Sequence, residues 1–226
     1  MEKKLVQQII EWDLVNWSKA LPFWEEQLKE PSKGKKALEL GGRNGGISLW
    51  LGLKGYEVIC SDLENPKESA SKLHAQYDHL NIRYEAINAT DIPYENEFDL
   101  VIFKSILGGI SRNGQDELKK AVIDQAHKAL KEGGQLLFAE NMEASIIHRF
   151  FRKNFVKWGG EWNYLKAAEI DSLFSEFSSL KYRSAGFLGA FGRSEGQRQF
   201  LGKIDNTIEK ALSKKQHYLV FGVAEK

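Results

Sequence analysis

The sequence predicts a doubly wound α/β fold. A mostly parallel seven-stranded sheet carries helices on both faces, and residues 1–33 form a helical lid before it. Three observations point there. From residue 36 onward, short apolar runs alternate with helix-like segments. The runs VIF and LLF are apolar throughout, as strands covered on both faces must be. The helix-like segments stop on glycine, at Gly55 and at Gly133–Gly134.

The elements follow in order. Leu5, Ile9 and Trp12 are spaced four and three apart, one face of a helix. Pro22 opens a second helix bearing Phe23, Trp24 and Leu28. Strands are expected at 36–40, 56–62, 82–87, 98–103 and 135–140, with helices at 45–55, 65–80 and 116–134 between them. In the last of these helices Leu118, Val122, Ala126 and Leu130 share a face. Residues 142–166 read as an irregular basic and aromatic insertion on the acceptor side. Then come a helix at 166–177, a strand at 180–188, a helix at 195–212 and a final strand at 217–226. Residues 34–226 thus make one domain behind the lid.

Bulk properties narrow the function classes. Of 226 residues, 42% are hydrophobic and 28% charged, as in ordinary globular proteins. A net charge of +1 makes no general electrostatic case for a nucleic-acid or membrane partner. Apolar runs are strand-sized, so no spanning helix is expected. The first residues include Glu11 and Asp13 and have no signal-peptide core, and the lone Cys60 reads as a buried residue of the run EVIC. A cytoplasmic location is the default expectation.

Ligands of such sheets bind beyond the carboxyl ends of the strands. There the segment GGRNGG, residues 41–46, has four glycines in six positions. A dinucleotide fingerprint needs a bare second glycine against the pyrophosphate, and Arg43 stands at that position. Glu39 ends the first strand, and Asp62 follows Gly41 by 21 residues at the end of the second, where ribose hydroxyls are held.

The stretch Leu38-Glu39-Leu40-Gly41-Gly42-Arg43-Asn44-Gly45, the pair Asp62-Leu63, the run Asn88-Ala89 with Ile92-Pro93, and LKEGG before the fifth strand occur in this order. In this order and spacing the chain resembles the class I S-adenosylmethionine-dependent methyltransferases, closely over 36–140 and in layout beyond. The resemblance implies a Rossmann-like sheet of order 3-2-1-4-5-7-6 with the last strand antiparallel, and S-adenosylmethionine as cofactor. It assigns the cofactor site to Glu39, Gly41, Gly42, Asn44, Gly45 and Asp62, then to Leu63, Asn88 and Ala89, with Phe103 and Lys104 closing the fourth strand. Two departures stand out: Arg43 replaces the motif's middle glycine, and Asn88 replaces the usual acid, its amide oxygen able to accept from an adenine amino group.

Methyl transfer to a hydroxyl needs a base. Glu140, after the fifth strand, and His148 are the candidates. The competing readings are that Glu140 caps a helix or pairs with an arginine and that His148 packs. His74, His79, His127 and His217 read as structural, and no spacing suggests a metal. The cations and aromatics of residues 148–166 suit an anionic or sugar-bearing acceptor, an RNA contact, or a lid packed on the N-terminal tryptophans. The segment WDLVNWSKALPFWEEQL also resembles the N-terminal helices of bacterial methyltransferases of surface-polysaccharide biosynthesis, which implies a sugar-type hydroxyl and Trp17 closing over the cofactor. The expected function is methyl transfer to a small molecule, with nucleic acid a disfavoured partner. An RNA or protein methyltransferase and a non-catalytic cofactor- or partner-binding module are the alternatives.

Overall fold

The structure, a computed structural model, describes residues 1–29, 31–156 and 160–226. Three short helices open the chain: α1 (Lys3–Ile10), α2 (Leu14–Trp17) and α3 (Ala20–Gln27). They are broken at Glu11 and Asp13, whose φ values of 72° and 45° no helix tolerates. The alternating core follows as β1 (Lys36–Leu40), α4 (Gly46–Leu53), β2 (Glu57–Asp62), α5 (Pro66–His74), β3 (Ile82–Ala86) and β4 (Phe98–Lys104). Next come α6 (Leu107–Ile110), α7 (Asp116–Ala129), β5 (Leu130–Asn141), α8 (Ile146–Phe155) and α9 (Ile170–Leu173). The chain closes with β6 (Ser179–Ala185), α10 (Glu195–Ile208) and β7 (Leu219–Glu225).

The sheet order is β3-β2-β1-β4-β5-β7-β6, and β7 runs antiparallel to both its neighbours, as expected. Three stretches differ from the sequence reading. Residues 142–166 contain the ten-residue helix α8. The helix expected at 166–177 shrinks to the single turn α9. The long helix beginning at residue 116 ends at Ala129, because Leu130 is already extended and pairs with Phe98.

Two apolar layers flank the sheet. One includes Phe103, Phe138 and Phe174 under α7 and α9. The other lies beneath the lid and includes Trp17, Trp24 and Trp50. Trp24 also donates its indole N–H to Gly222 O at 3.2 Å, which ties α3 to the middle of β7.

The lid is fixed at three further places. The carboxylate of Glu195 accepts from the backbone N–H groups of Asp13 (2.8 Å) and Leu14 (3.0 Å), capping α2 from the far end of the sequence. Asn16 donates to Asp205 at 2.9 Å and to the Tyr218 hydroxyl at 2.8 Å, and Tyr218 in turn donates to Asp13. The third place is α1 against α4. A Cβ at Gly46 would meet the carbonyls of Gln8 and, at 2.6 Å, Ile9.

Backbone cannot yield there as a side chain would, so Gly46→Ala is expected to lift α1 off the domain. Overpacking of this kind costs about 1–3 kcal/mol. Thermal melting should fall by about 2–4 °C for each kcal/mol lost, with faster proteolysis confined to the N-terminal helices.

Candidate active site

The turn from β1 to α4 is built from left-handed residues. Gly41, Arg43 and Gly45 have φ values of 66°, 48° and 74°. This accounts for a glycine at the middle position of the related motif: the backbone there is left-handed, and Arg43 adopts it against its Cβ. The glycines also clear space for the protein's own atoms. A Cβ would lie 2.5 Å from Ile106 at Gly41 and 2.5 Å from the His74 ring at Gly45. His74, read as structural, bonds Gly45 O at 2.8 Å and the Tyr84 hydroxyl at 2.9 Å.

The turn is pinned to the end of β2. Gly42 N donates to Ser61 O at 2.7 Å, and Arg43 N donates to Asp62 Oδ2 at 3.0 Å. Leu63 N donates to Asp62 Oδ1 at 2.8 Å. A carboxylate has about four acceptor positions. Asp62 is therefore held in place with capacity left for a ribose diol. Leu63 beside it is 63% exposed, a bare apolar surface at the same edge.

Asn88 is exposed next to the buried Ala89, but its amide oxygen is engaged locally, accepting from Thr90 N at 3.0 Å and Thr90 Oγ1 at 2.8 Å. The other end of the amide, its NH2, is a donor to a ring nitrogen rather than an acceptor from an amino group. Phe103 also differs from expectation. It is fully buried in the core against Phe138, so its side chain reaches no ligand.

At the centre, Glu39 is buried. Its Oε2 accepts from Ser48 N at 2.8 Å and from the Ser48 hydroxyl, and burial pushes the carboxyl up to about 7. Lys104 is largely buried too. Its ammonium donates to Ile10 O at 3.2 Å and sits 3.2 Å from the Trp12 ring centroid, and burial brings it down to about 7. Glu11, on the bend after α1, acts electrostatically on both. Its Oε1 is buried with no hydrogen-bond partner among the described residues. Two carboxyls short of cations make this a place for a positively charged group.

Beyond Trp12 opens a cavity of about 1400 Å3. Arg43, Arg112, Arg152, Arg193 and Arg198 line it, against the single carboxylate of Asp13. None of the five forms a salt bridge among the described residues. Trp12, Trp17, Phe151, Trp162 and Tyr164 supply aromatic walls. Arg43 stacks on Trp12 at 4.7 Å, which joins the glycine turn to this wall.

The residues proposed as bases stand differently. Glu140 is fully buried and gives its oxygens to backbone N–H groups of Leu107 and Asn141, both at 2.8 Å, so it caps α6. His148 lines the cavity, but its Nε2 lies 2.8 Å from Phe187 O, a pure acceptor, so Nε2 carries the proton. Nδ1 then accepts from Ser145 Oγ at 2.8 Å, and burial pushes the ring down to about 4. Glu140 is buried away from the cavity lining, and both ring nitrogens of His148 are already engaged, so neither is placed to serve a substrate. Asp13 is the group the sequence reading missed. It is buried, burial pushes it up to about 7, and its Oδ1 has no partner among the described residues. No spacing rule marks it, because β7 and α10 bring its neighbours Tyr218 and Arg198 from nearly 200 residues away.

Residues 38–138 match the family model described as "Methyltransferase domain". This stretch, under half of the chain, is similar to the domain that model describes. A ubiquinone biosynthesis O-methyltransferase of Pseudomonas syringae pv. tomato is 28% identical over 108 residues, 47% of this chain and 44% of that protein. The chain thus spans less than half of that curated relative. Among solved structures, phosphoethanolamine N-methyltransferase 2 of Haemonchus contortus, in complex with S-adenosyl-L-methionine, superposes with a TM-score of 0.64. It is 16% identical, over 93% of this chain and 52% of that one. The N-methyltransferase NodS of Bradyrhizobium japonicum WM9 superposes at 0.59, 14% identical, over 92% and 93% of the two chains. The matched stretch carries the glycine turn, Asp62 and Asn88 at its carboxyl edge, and the cavity lies between it, the lid and the C-terminal segment.

Asp13 gives a signed stability test. Its folded pKa, about 7, exceeds the ordinary carboxyl value of 3.8. The folded state holds the proton more tightly, so stability from this group is present at low pH and is lost as pH rises toward 7. Asp13→Asn removes the penalty. At pH 8 the variant should melt above the parent, and the gap should close toward pH 4 when followed by thermal denaturation.

Proposed function

We propose that this protein transfers the methyl group of S-adenosylmethionine to a hydroxyl of a small anionic molecule bound in the arginine-lined cavity. The observation that carries the reading is the cavity itself: five arginines unmatched by carboxylates, opening beside the glycine turn and holding one acid with an unpaired oxygen.

When bound, the cofactor supplies an electrophilic methyl on a sulfonium. The residues of the chain divide the remaining work. Asp62 accepts from the ribose hydroxyls, with Leu63 and Asn88 at the adenine side. Glu39 and Glu11 face the cationic amino-acid end, where burial makes a carboxylate–cation contact strong. Lys104 and Arg43 hold Trp12 as a wall between this end and the cavity. Arginines such as Arg112 and Arg193 orient the acceptor's phosphate or carboxylate through paired N–H donors. Asp13 would take the acceptor hydroxyl's proton as the methyl passes from the sulfonium, the carbon–sulfur bond breaking as the carbon–oxygen bond forms and S-adenosylhomocysteine leaving. A base with a pKa near the working pH is well matched to that step. A pocket walled by aromatic rings and arginines favours a small acceptor over an RNA strand.

The test is transfer of labelled methyl to a panel of hydroxyl compounds, each paired with its phosphorylated or carboxylated form. The charged members should be methylated and the neutral ones not. The rate should rise with pH through about 7 and then level, because Asp13 must be ionised. Asp13→Asn should lower kcat by about 10²-fold or more while leaving S-adenosylhomocysteine affinity unchanged. Equal use of neutral acceptors, or a rate indifferent to Asp13→Asn, would overturn the reading.

A further inference from the structure

We propose that helix α8 docks this protein on an anionic lipid surface. Nine large hydrophobic residues are exposed among those described, and five of them lie in this ten-residue helix, so they form a patch rather than a scatter. Ile146 is 74% exposed, Phe150 59% and Ile147 53%. At helical spacing these three share the outward face, and Phe151 and Phe155 continue it toward the cavity. The inward face is fully used. His148 packs against Phe187 and Phe191, and Arg152 donates to the carbonyls of Met142 (2.7 Å) and Glu143 (3.1 Å).

The charge of the helix selects the partner. It carries Arg149, Arg152 and Lys153 and no acid. With Arg152 turned inward, Arg149 and Lys153 flank the apolar face. Arg149 meets Glu143 only at 3.4 Å and in the open, which leaves it nearly free in energy. Two copies of this face would bring four cations together. A layer of anionic headgroups would neutralise them while the isoleucines and phenylalanines enter the acyl boundary, as an interfacial helix does. No described helix is long and apolar enough to cross a membrane. Ten residues make about 15 Å, which suits a helix lying in the interface. The chain-wide charge of +1 averages this local basicity away.

Ile146, Ile147 and Phe150, the outer part of the patch, stand apart from the cavity. The patch's consequence for the acceptor rests on the proposed function: Phe151, Asn154 and Phe155 line the cavity, so docking turns the mouth toward the lipid and admits an acceptor with an apolar body and an anionic head.

Co-sedimentation of the full chain with vesicles tests the surface. Vesicles containing phosphatidylglycerol should bind it, and vesicles of phosphatidylcholine alone should bind it about thirtyfold less, the effect of two cations near an anionic surface. Ile146→Asp combined with Phe150→Asp should abolish binding with an unchanged melting temperature, since both side chains are already in solvent. No binding to phosphatidylglycerol vesicles by the unaltered chain overturns the proposal, as does binding that survives the double substitution. A dimer in sedimentation equilibrium that the same substitution breaks also overturns it, because a second copy then covers the face. Cofactor binding, measured separately by calorimetry, can fail without touching this outcome.

Discussion

The turn between β1 and α4 must reverse the chain in six residues while three neighbouring segments press on it. Ser61 and Asp62 hold it from β2, the Ile106 side chain closes it from the segment after β4, and the carbonyls of Gln8 and Ile9 cover it from α1. Left-handed φ values are the only way through, and Arg43 accepts one without being glycine. This constraint sets the height of Asp62, the position of Glu39 against Ser48, and the seat of the lid helix on Gly46. It also aims Arg43 at Trp12, so the wall of the cavity is built from the same turn that faces the cofactor side.

Around that turn the protein buries acids that lack cationic partners. Glu39, Glu11 and Asp13 all sit at the seam between lid and domain, with Lys104 the positive neighbour of the two glutamates and Arg198 that of Asp13. Burial of this kind opposes folding, since each carboxyl loses hydration that no ion pair restores. The network of Asn16, Asp205 and Tyr218, with Trp24 on β7, holds the seam closed regardless. The arrangement suits a site that is completed by a positively charged ligand on one side and a hydroxyl on the other.

Much of this was legible in the sequence, for physical reasons that also explain the rest. The strands of the sheet announced themselves because a strand covered on both faces must be apolar throughout, as FDLVIF and QLLFAE are. Asp62 and the glycine turn were legible because both lie within one strand–helix–strand unit, where spacing in sequence is spacing in space. Phe103 was misplaced among ligand contacts because alternation along β4 turns it into the core. Helix α8 was read as irregular because its apolar residues face solvent, and no core stripe marks it. Asp13 and the cavity arginines Arg112, Arg193 and Arg198 were not legible for another reason. They come from the lid, α10 and loops far apart in sequence, and only the folded sheet gathers them.

The central claim is that this turn, with Arg43 where a dinucleotide site has glycine, holds a sulfonium cofactor. Calorimetric titration of the full chain with S-adenosylmethionine, S-adenosylhomocysteine and NAD addresses it directly. The account predicts saturable binding of the first two and none of NAD. Silence with both sulfur nucleosides, or binding of NAD, would contradict it.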